Sequence, residues 1–171
     1  MRSIEFSRIH DKMSARGGSN MGETTVIDVA EWFLRQQPMT HKKLQKMVYY
    51  AYAWHYTLTG KKLFDGEFEA WIHGPVNRRL YGRYAGNGWN LIDYDDSYEL
   101  SLKPEEEEFL EDIRQVFGNY SADDLESMTH QEDPWIKARG GIPANQASCA
   151  VIQDETIRNF YSGLAQQNQM E

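Results

Sequence analysis

The chain has 171 residues, with 18 Lys and Arg against 26 Asp and Glu for a net charge of −8, and one cysteine. That length supports one domain with a real core but is short for two, and one thiol excludes an internal disulfide. No stretch approaches the roughly 20 apolar residues of a membrane span, and residues 1–20 hold no apolar run of signal-peptide length, so the expected protein is neither secreted nor membrane-spanning but cytoplasmic.

Residues 1–21 are polar and aperiodic and read as a flexible N-terminal arm. The helical domain is expected over 22–165, with a frayed glutamine-rich tail at 166–171. Val26, Val29, Ala30, Phe33 and Leu34 mark a first amphipathic helix ended by Pro38. Thr40 is placed to cap a second helix, in which Leu44, Met47, Val48, Ala51, His55 and Leu58 form one stripe. Tyr49, Tyr50, Tyr52 and Tyr56 spread around its other faces. A helix apolar on most sides belongs inside a bundle, so this one is the expected centre.

After Gly60 the period changes: Phe68, Ala70 and Ile72 alternate with Glu67, Glu69 and Trp71, as in a half-buried strand. Gly74-Pro75 marks a turn, and helical spacing resumes from Val76 to Tyr84. Leu91-Ile92 is the expected partner strand for the Phe68 segment. Pro104 and the four glutamates at 105–108 suit the first turn of another helix, whose apolar stripe is Phe109, Ile113, Val116 and Phe117. Ser121 and Asp124 resemble a capping box for a helix with Leu125 and Met128 facing inward. Pro134-Trp135 then interrupts, and a loop around GGIPANQAS leads to a last helix carrying Ile157, Phe160, Tyr161 and Leu164. The fold expected is mainly α: a single compact helical domain of five or six helices around the central one at 41–58, with a small two- or three-stranded β-ribbon.

Charge is split along the chain. Up to Asn90 there are 13 Lys and Arg against 8 Asp and Glu, whereas from Leu91 onward there are 5 against 18. The acidic half would repel phosphates and attract a basic partner, although solvated helix faces explain it equally well. The basic residues Lys42, Lys43, Lys46, Lys61, Lys62, Arg78, Arg79 and Arg83 raise the question of nucleic-acid binding, and the acidic remainder argues against it. Solvated lysines are the plainer reading.

Chemical candidates are few. His130, Glu132 and Asp133, with His73 or His55, supply metal-ligating and acid–base groups, but their spacing fits a helix end better. Cys149 lies between Ser148 and Ala150 and reads as a small buried residue. With no nucleophile elbow and no glycine-rich phosphate loop, no catalytic residue, metal site or cofactor is assigned. Trp54, Trp71 and Trp135 are expected in the core, and Trp32 and Trp89 on the surface.

Three stretches together resemble the Panacea domain family, also called SocA-like antitoxin domains: LQKMVYYAYAWHYTLTGKKLFDGEFEAWIHGPV at 44–76, RLYGRYAG shortly after, and LESMTHQEDPWIKAR at 125–139. Trp54, Trp71, His73, Gly74, Pro75, His130, Pro134 and Trp135 lie in these motifs as structural positions. The resemblance implies a mostly helical antitoxin of a bacterial or phage toxin–antitoxin pair, without enzymatic activity or cofactor. Such an antitoxin neutralises a cognate protein toxin by direct contact. Partnered toxins in the family have unrelated folds and many inhibit translation, while a few relatives act as adaptors that deliver a toxin to an AAA+ protease. A nucleic-acid-binding regulator is the other alternative, and homo-oligomerisation is left open. For the partner-binding surface the sequence points to Arg78, Arg79, Arg83 and Trp89, because arginine forks and exposed aromatics dominate interface energetics.

Overall fold

The computed structural model describes residues 23–169. Helix α1 (Val26–Gln36) is capped at Thr25, whose hydroxyl accepts from the Asp28 amide while the Asp28 carboxylate accepts from the Thr25 amide. A two-residue strand β1 (Met39–Thr40) leads into α2 (His41–Thr59). Thr40 caps α2 through the Lys43 amide, and Gly60 closes it in the left-handed conformation. Strands β2 (Phe68–Trp71) and β3 (Gly74–Val76) form a hairpin. Helix α3 (Arg78–Tyr84), a 3-10 turn at Ala85–Asn87 and β4 (Leu91–Ile92) follow. Helices α4 (Pro104–Phe117), α5 (Ala122–Thr129) and α6 (Asp133–Arg139), strand β5 (Val151–Ile152) and helix α7 (Asp154–Gln169) complete the described residues.

Helix α2 is the axis, and α1, α4, α5 and α7 all pack on it. Tyr49, Tyr50 and Tyr52 are buried on successive faces, with Tyr50 stacked on Phe117 at 4.2 Å and Tyr49 set edge-on to Phe68 at 5.2 Å. The architecture is mainly α with a small ribbon, as the sequence implies, and the described residues hold six helices besides the central α2.

Several local expectations are corrected. Leu91-Ile92 does not pair with the Phe68 segment: β4 pairs antiparallel with β1, Met39 opposite Ile92, and the three-stranded sheet has the order β3-β2-β5. Helix α3 carries the chain away from the hairpin towards α1, so Val151–Ile152 takes the free edge of β2. Ile72 falls in the hairpin turn, and Val76 belongs to β3, because Asn77 caps α3 through the Leu80 amide. Pro134 does not interrupt a helix but lies in the first turn of α6, where its missing N–H costs no hydrogen bond. Trp32 is only 7% exposed, because α1 is covered by α2, α3 and α4 together. Trp54 and Trp135 are buried as expected, whereas Trp71 is half-exposed.

Candidate functional site: an aromatic groove beside the central helix

The first turns of α2 face the β2–β3 hairpin across a groove of about 550 Å³. Gln45 joins the two sides. Its side-chain oxygen accepts from the Asn77 amide at 2.9 Å and its NH2 donates to the Asn77 carbonyl at 3.2 Å. The same NH2 lies 3.2 Å from His41 Nε2, which therefore accepts, and burial with the nearby Lys46 charge lowers the His41 pKa.

The hairpin and α3 supply an aromatic wall. Trp71 donates its indole N–H to Glu69 at 2.7 Å, and Glu69 also accepts from Arg78 Nε at 2.6 Å. Arg78 lies over the Trp71 ring at 5.6 Å, and Tyr81 packs between Trp71 at 5.0 Å and His41 at 5.2 Å. Glu69, expected on an exposed strand face, is thus buried as the clamp that orients both side chains. Trp89, 76% exposed, stands at the mouth with its ring 6.5 Å from His73.

The opposite wall is a loop set by α6. Arg139 is buried, lies over Trp135 at 4.6 Å and donates to the carbonyls of Ala70 and Pro143, each at 2.8 Å, and to that of Gln146. These bonds bring Ala147, Ser148 and Cys149 to the groove edge. Cys149 is exposed, which corrects the expectation of a small buried residue: it follows a loop tied down by Arg139 at the end of α6 rather than lying on an apolar helix face.

Beneath the hairpin lies a cationic cluster. Lys46, read from sequence as solvated, is 1% exposed and reaches the Pro75 carbonyl at 3.4 Å. Burial lowers its pKa to about 7, only partly opposed by Glu126. Glu126 is shared: Lys42 pairs with it and with Asp123, and His73 Nδ1 lies 3.1 Å from it. Gly74 is required twice over, by its φ of +98° and because a Cβ would run into Lys46 and Thr129.

A second polar cluster is enclosed on another face of α2. Tyr50 and Tyr161 donate to the two oxygens of Glu132 at 3.1 and 2.5 Å, and the Tyr49 hydroxyl lies 3.3 Å from that of Tyr161. Burial outweighs these bonds and raises the Glu132 pKa to about 7.

The sequence-derived site residues are therefore divided. Trp89 borders the groove and Arg78 braces its wall, while Arg79 is exposed on α3. Arg83 turns to the other side of α3, to Asp95 at 3.2 Å and Glu31 at 3.6 Å. Among the metal and acid–base candidates, His130 stacks on Trp135 at 4.1 Å, His55 Nδ1 lies 2.9 Å from the Lys61 carbonyl and Glu132 faces tyrosines. They do not converge. No group of three or more His, Cys, Asp or Glu side chains among the described residues is placed to hold a metal ion. Sequence reasoning missed His41, Lys46, Tyr81 and Cys149 as groove residues. One signal was available for Lys46, since the apolar and aromatic residues spread around α2 leave it no solvent face.

Comparison with known proteins bears on this arrangement. The family model described as "Antitoxin SocA-like, Panacea domain" matches residues 44–136, from α2 to the start of α6. Antitoxin SocA of Caulobacter vibrioides is 27% identical over 136 aligned positions, in a match that covers 72% of this chain and 72% of that protein. No solved structure matches at a significant level. The matched segment contains the central helix, the hairpin, α3 and the Trp89 loop, and on that match the chain belongs to the SocA-like Panacea domain family of antitoxins.

Proposed function

We propose that this chain is the antitoxin of a bacterial or phage toxin–antitoxin pair and neutralises its cognate toxin by direct protein–protein contact at the groove and the adjoining face of α3. The observation that carries this reading is an aromatic groove whose Trp71–Tyr81 wall and exposed Trp89 lie in the segment matched by an antitoxin family model. Interface hot spots are typically such aromatic and arginine side chains in preformed clefts. Family membership suggests a regulatory rather than a catalytic role, and this chain acts without a cofactor. The nucleic-acid alternative has less support, because Lys42, Arg78 and Arg83 are already tied to carboxylates.

The test is co-expression with the open reading frame beside this gene, beginning with any that arrests translation. Growth should be rescued only when both proteins are present, and the two should co-elute as a complex. Rescue without a complex, or turnover of the toxin's product by the isolated protein, overturns direct neutralisation.

A further inference from the structure

We infer that the Glu132 cluster is a pH-sensitive latch: the carboxylate, set between Tyr50 of α2 and Tyr161 of α7, keeps α7 docked on the central helix while it is protonated and lets α7 open once it ionises. This concerns how the fold responds to its surroundings, and it stands whether or not the toxin reading does.

The geometry sets the sign. Glu132 immediately precedes α6 and is 6% exposed. Its side-chain partners among the described residues are two phenols, Tyr50 at 3.1 Å and Tyr161 at 2.5 Å, with the Tyr49 hydroxyl 3.3 Å from that of Tyr161 and Tyr120 close to Tyr50. Burial pushes the Tyr49, Tyr50 and Tyr161 phenols up, so they stay protonated through the neutral range and donate hydrogen bonds without supplying positive charge. The ionisable groups nearest in sequence are engaged elsewhere: Asp133 pairs with Lys137 at 2.9 Å and His130 stacks on Trp135. Two phenol hydrogen bonds do not replace the water that an ionised carboxylate gives up on burial. The docked pKa is accordingly raised to about 7, whereas a carboxyl returned to water falls back towards 4.5. The open state therefore gains on the docked one as pH rises from 4.5 through 7.

Helix α7 is the element able to yield. Of its 16 residues only Ile157 and Tyr161 are fully buried, with Phe160 and Leu164 partly so. Its start is pinned: Val151 and Ile152 pair with β2, and Asp154 accepts from Tyr52 at 2.7 Å and pairs with Lys62 at 3.0 Å. Beyond that point it rests on α2 and α6. Local opening is drawn from elements with few buried apolar groups, and α2, buried from Leu44 to His55, is not one. When α7 lifts about its start, Glu132 meets water. Tyr49 and Trp54, whose rings lie 6.5 and 5.2 Å from that of Tyr161, are uncovered with it. An alkaline shift thus bares an aromatic face of the central helix that is closed at acid pH.

Hydrogen exchange of the whole chain, read by mass spectrometry at pH 5 and pH 8 with each rate divided by the intrinsic rate at that pH, tests the latch. With a carboxyl pKa of 4.5 open and about 7 docked, protection of residues 157–169 should fall about 70-fold over this range. It should also stay below the protection of residues 47–54 in α2. Glu132→Gln should abolish the fall. Tyr161→Phe removes a hydrogen bond that favours the ionised form, and should deepen it. A fall of less than tenfold in the parent, a fall that persists in Glu132→Gln, or α7 as well protected as α2 at pH 8 overturns the inference. A shallower fall in Tyr161→Phe than in the parent does so as well.

Discussion

Replacing Glu132 by Gln should make the protein more stable at neutral pH, and by an amount that depends on pH in a defined way. Glu132 is buried against Tyr50 and Tyr161, and its pKa is raised from 4.5 to about 7. The folded state therefore binds its proton more tightly than the unfolded chain, so stability is lost as pH rises from the unfolded value through the folded one. Below about pH 4.5 the acid is neutral in both states and behaves much like an amide. Above about pH 7 ionisation has cost the fold about 3 kcal/mol, at 1.36 kcal/mol per pH unit. Glutamine keeps the shape and can still accept from one tyrosine while donating to the other. Urea denaturation of both proteins at pH 4.5, 6, 7 and 8 gives the difference directly, with other titrating groups cancelling. The variant should gain on the parent by about 3 kcal/mol across this range, most of it between pH 5 and 7. A difference constant to within about 0.5 kcal/mol would refute the argument, because it would mean that the carboxylate ionises inside the fold as easily as outside.

Lys46→Met should show the opposite trend: burial lowers the lysine pKa from 10.5 to about 7, so the parent gains stability as pH rises from 7 towards 10.5. The variant's advantage at pH 7 should shrink towards pH 10 in the same urea assay. Gly74→Ala should cost about 3 kcal/mol, combining backbone strain with overpacking against Lys46 and Thr129, read as a lower urea midpoint. Trp89→Ala should change stability by less than about 0.5 kcal/mol, because its ring is mostly in solvent. Cys149 should react with Ellman's reagent in the native protein within tenfold of the rate for the unfolded chain, and a protected thiol would contradict its placement on the groove edge.

What the sequence made legible was local. Thr40 as a cap, Pro38 as a stop, Pro104 with its glutamates as a helix start and the Ser121–Asp124 box each depend on neighbours within one turn. The central position of α2 was also readable, since residues 44–58 are apolar or aromatic on most sides. What failed required knowing which elements meet. Leu91-Ile92 has the pattern of a short strand, but its partner β1 lies some fifty residues back and is chosen by the path of α3. Trp32 is covered by three helices from different parts of the chain, and Cys149 is exposed because Arg139 anchors the preceding loop. The candidate site was half visible for the same reason. Trp89 could be named from its polar loop, but Lys46 and Tyr81 join it only after the hairpin folds back on α2.

The groove is built from parts with very different freedom to vary. Its floor is crowded: Gly74 has no room for a methyl group, and Gln45 is fixed by both backbone groups of Asn77. The chain beside its rim is open, since a Cβ at Gly82 or Gly86, next to the lining residues Tyr81 and Ala85, would meet nothing within 4 Å, and Ala147 to Cys149 lie at the end of a surface loop. New side chains can therefore be added around the mouth at little thermodynamic cost while the scaffold beneath keeps its shape. A chain organised this way could exchange one partner for another through a few rim substitutions, much as an adjustable jaw is refitted on a fixed vice.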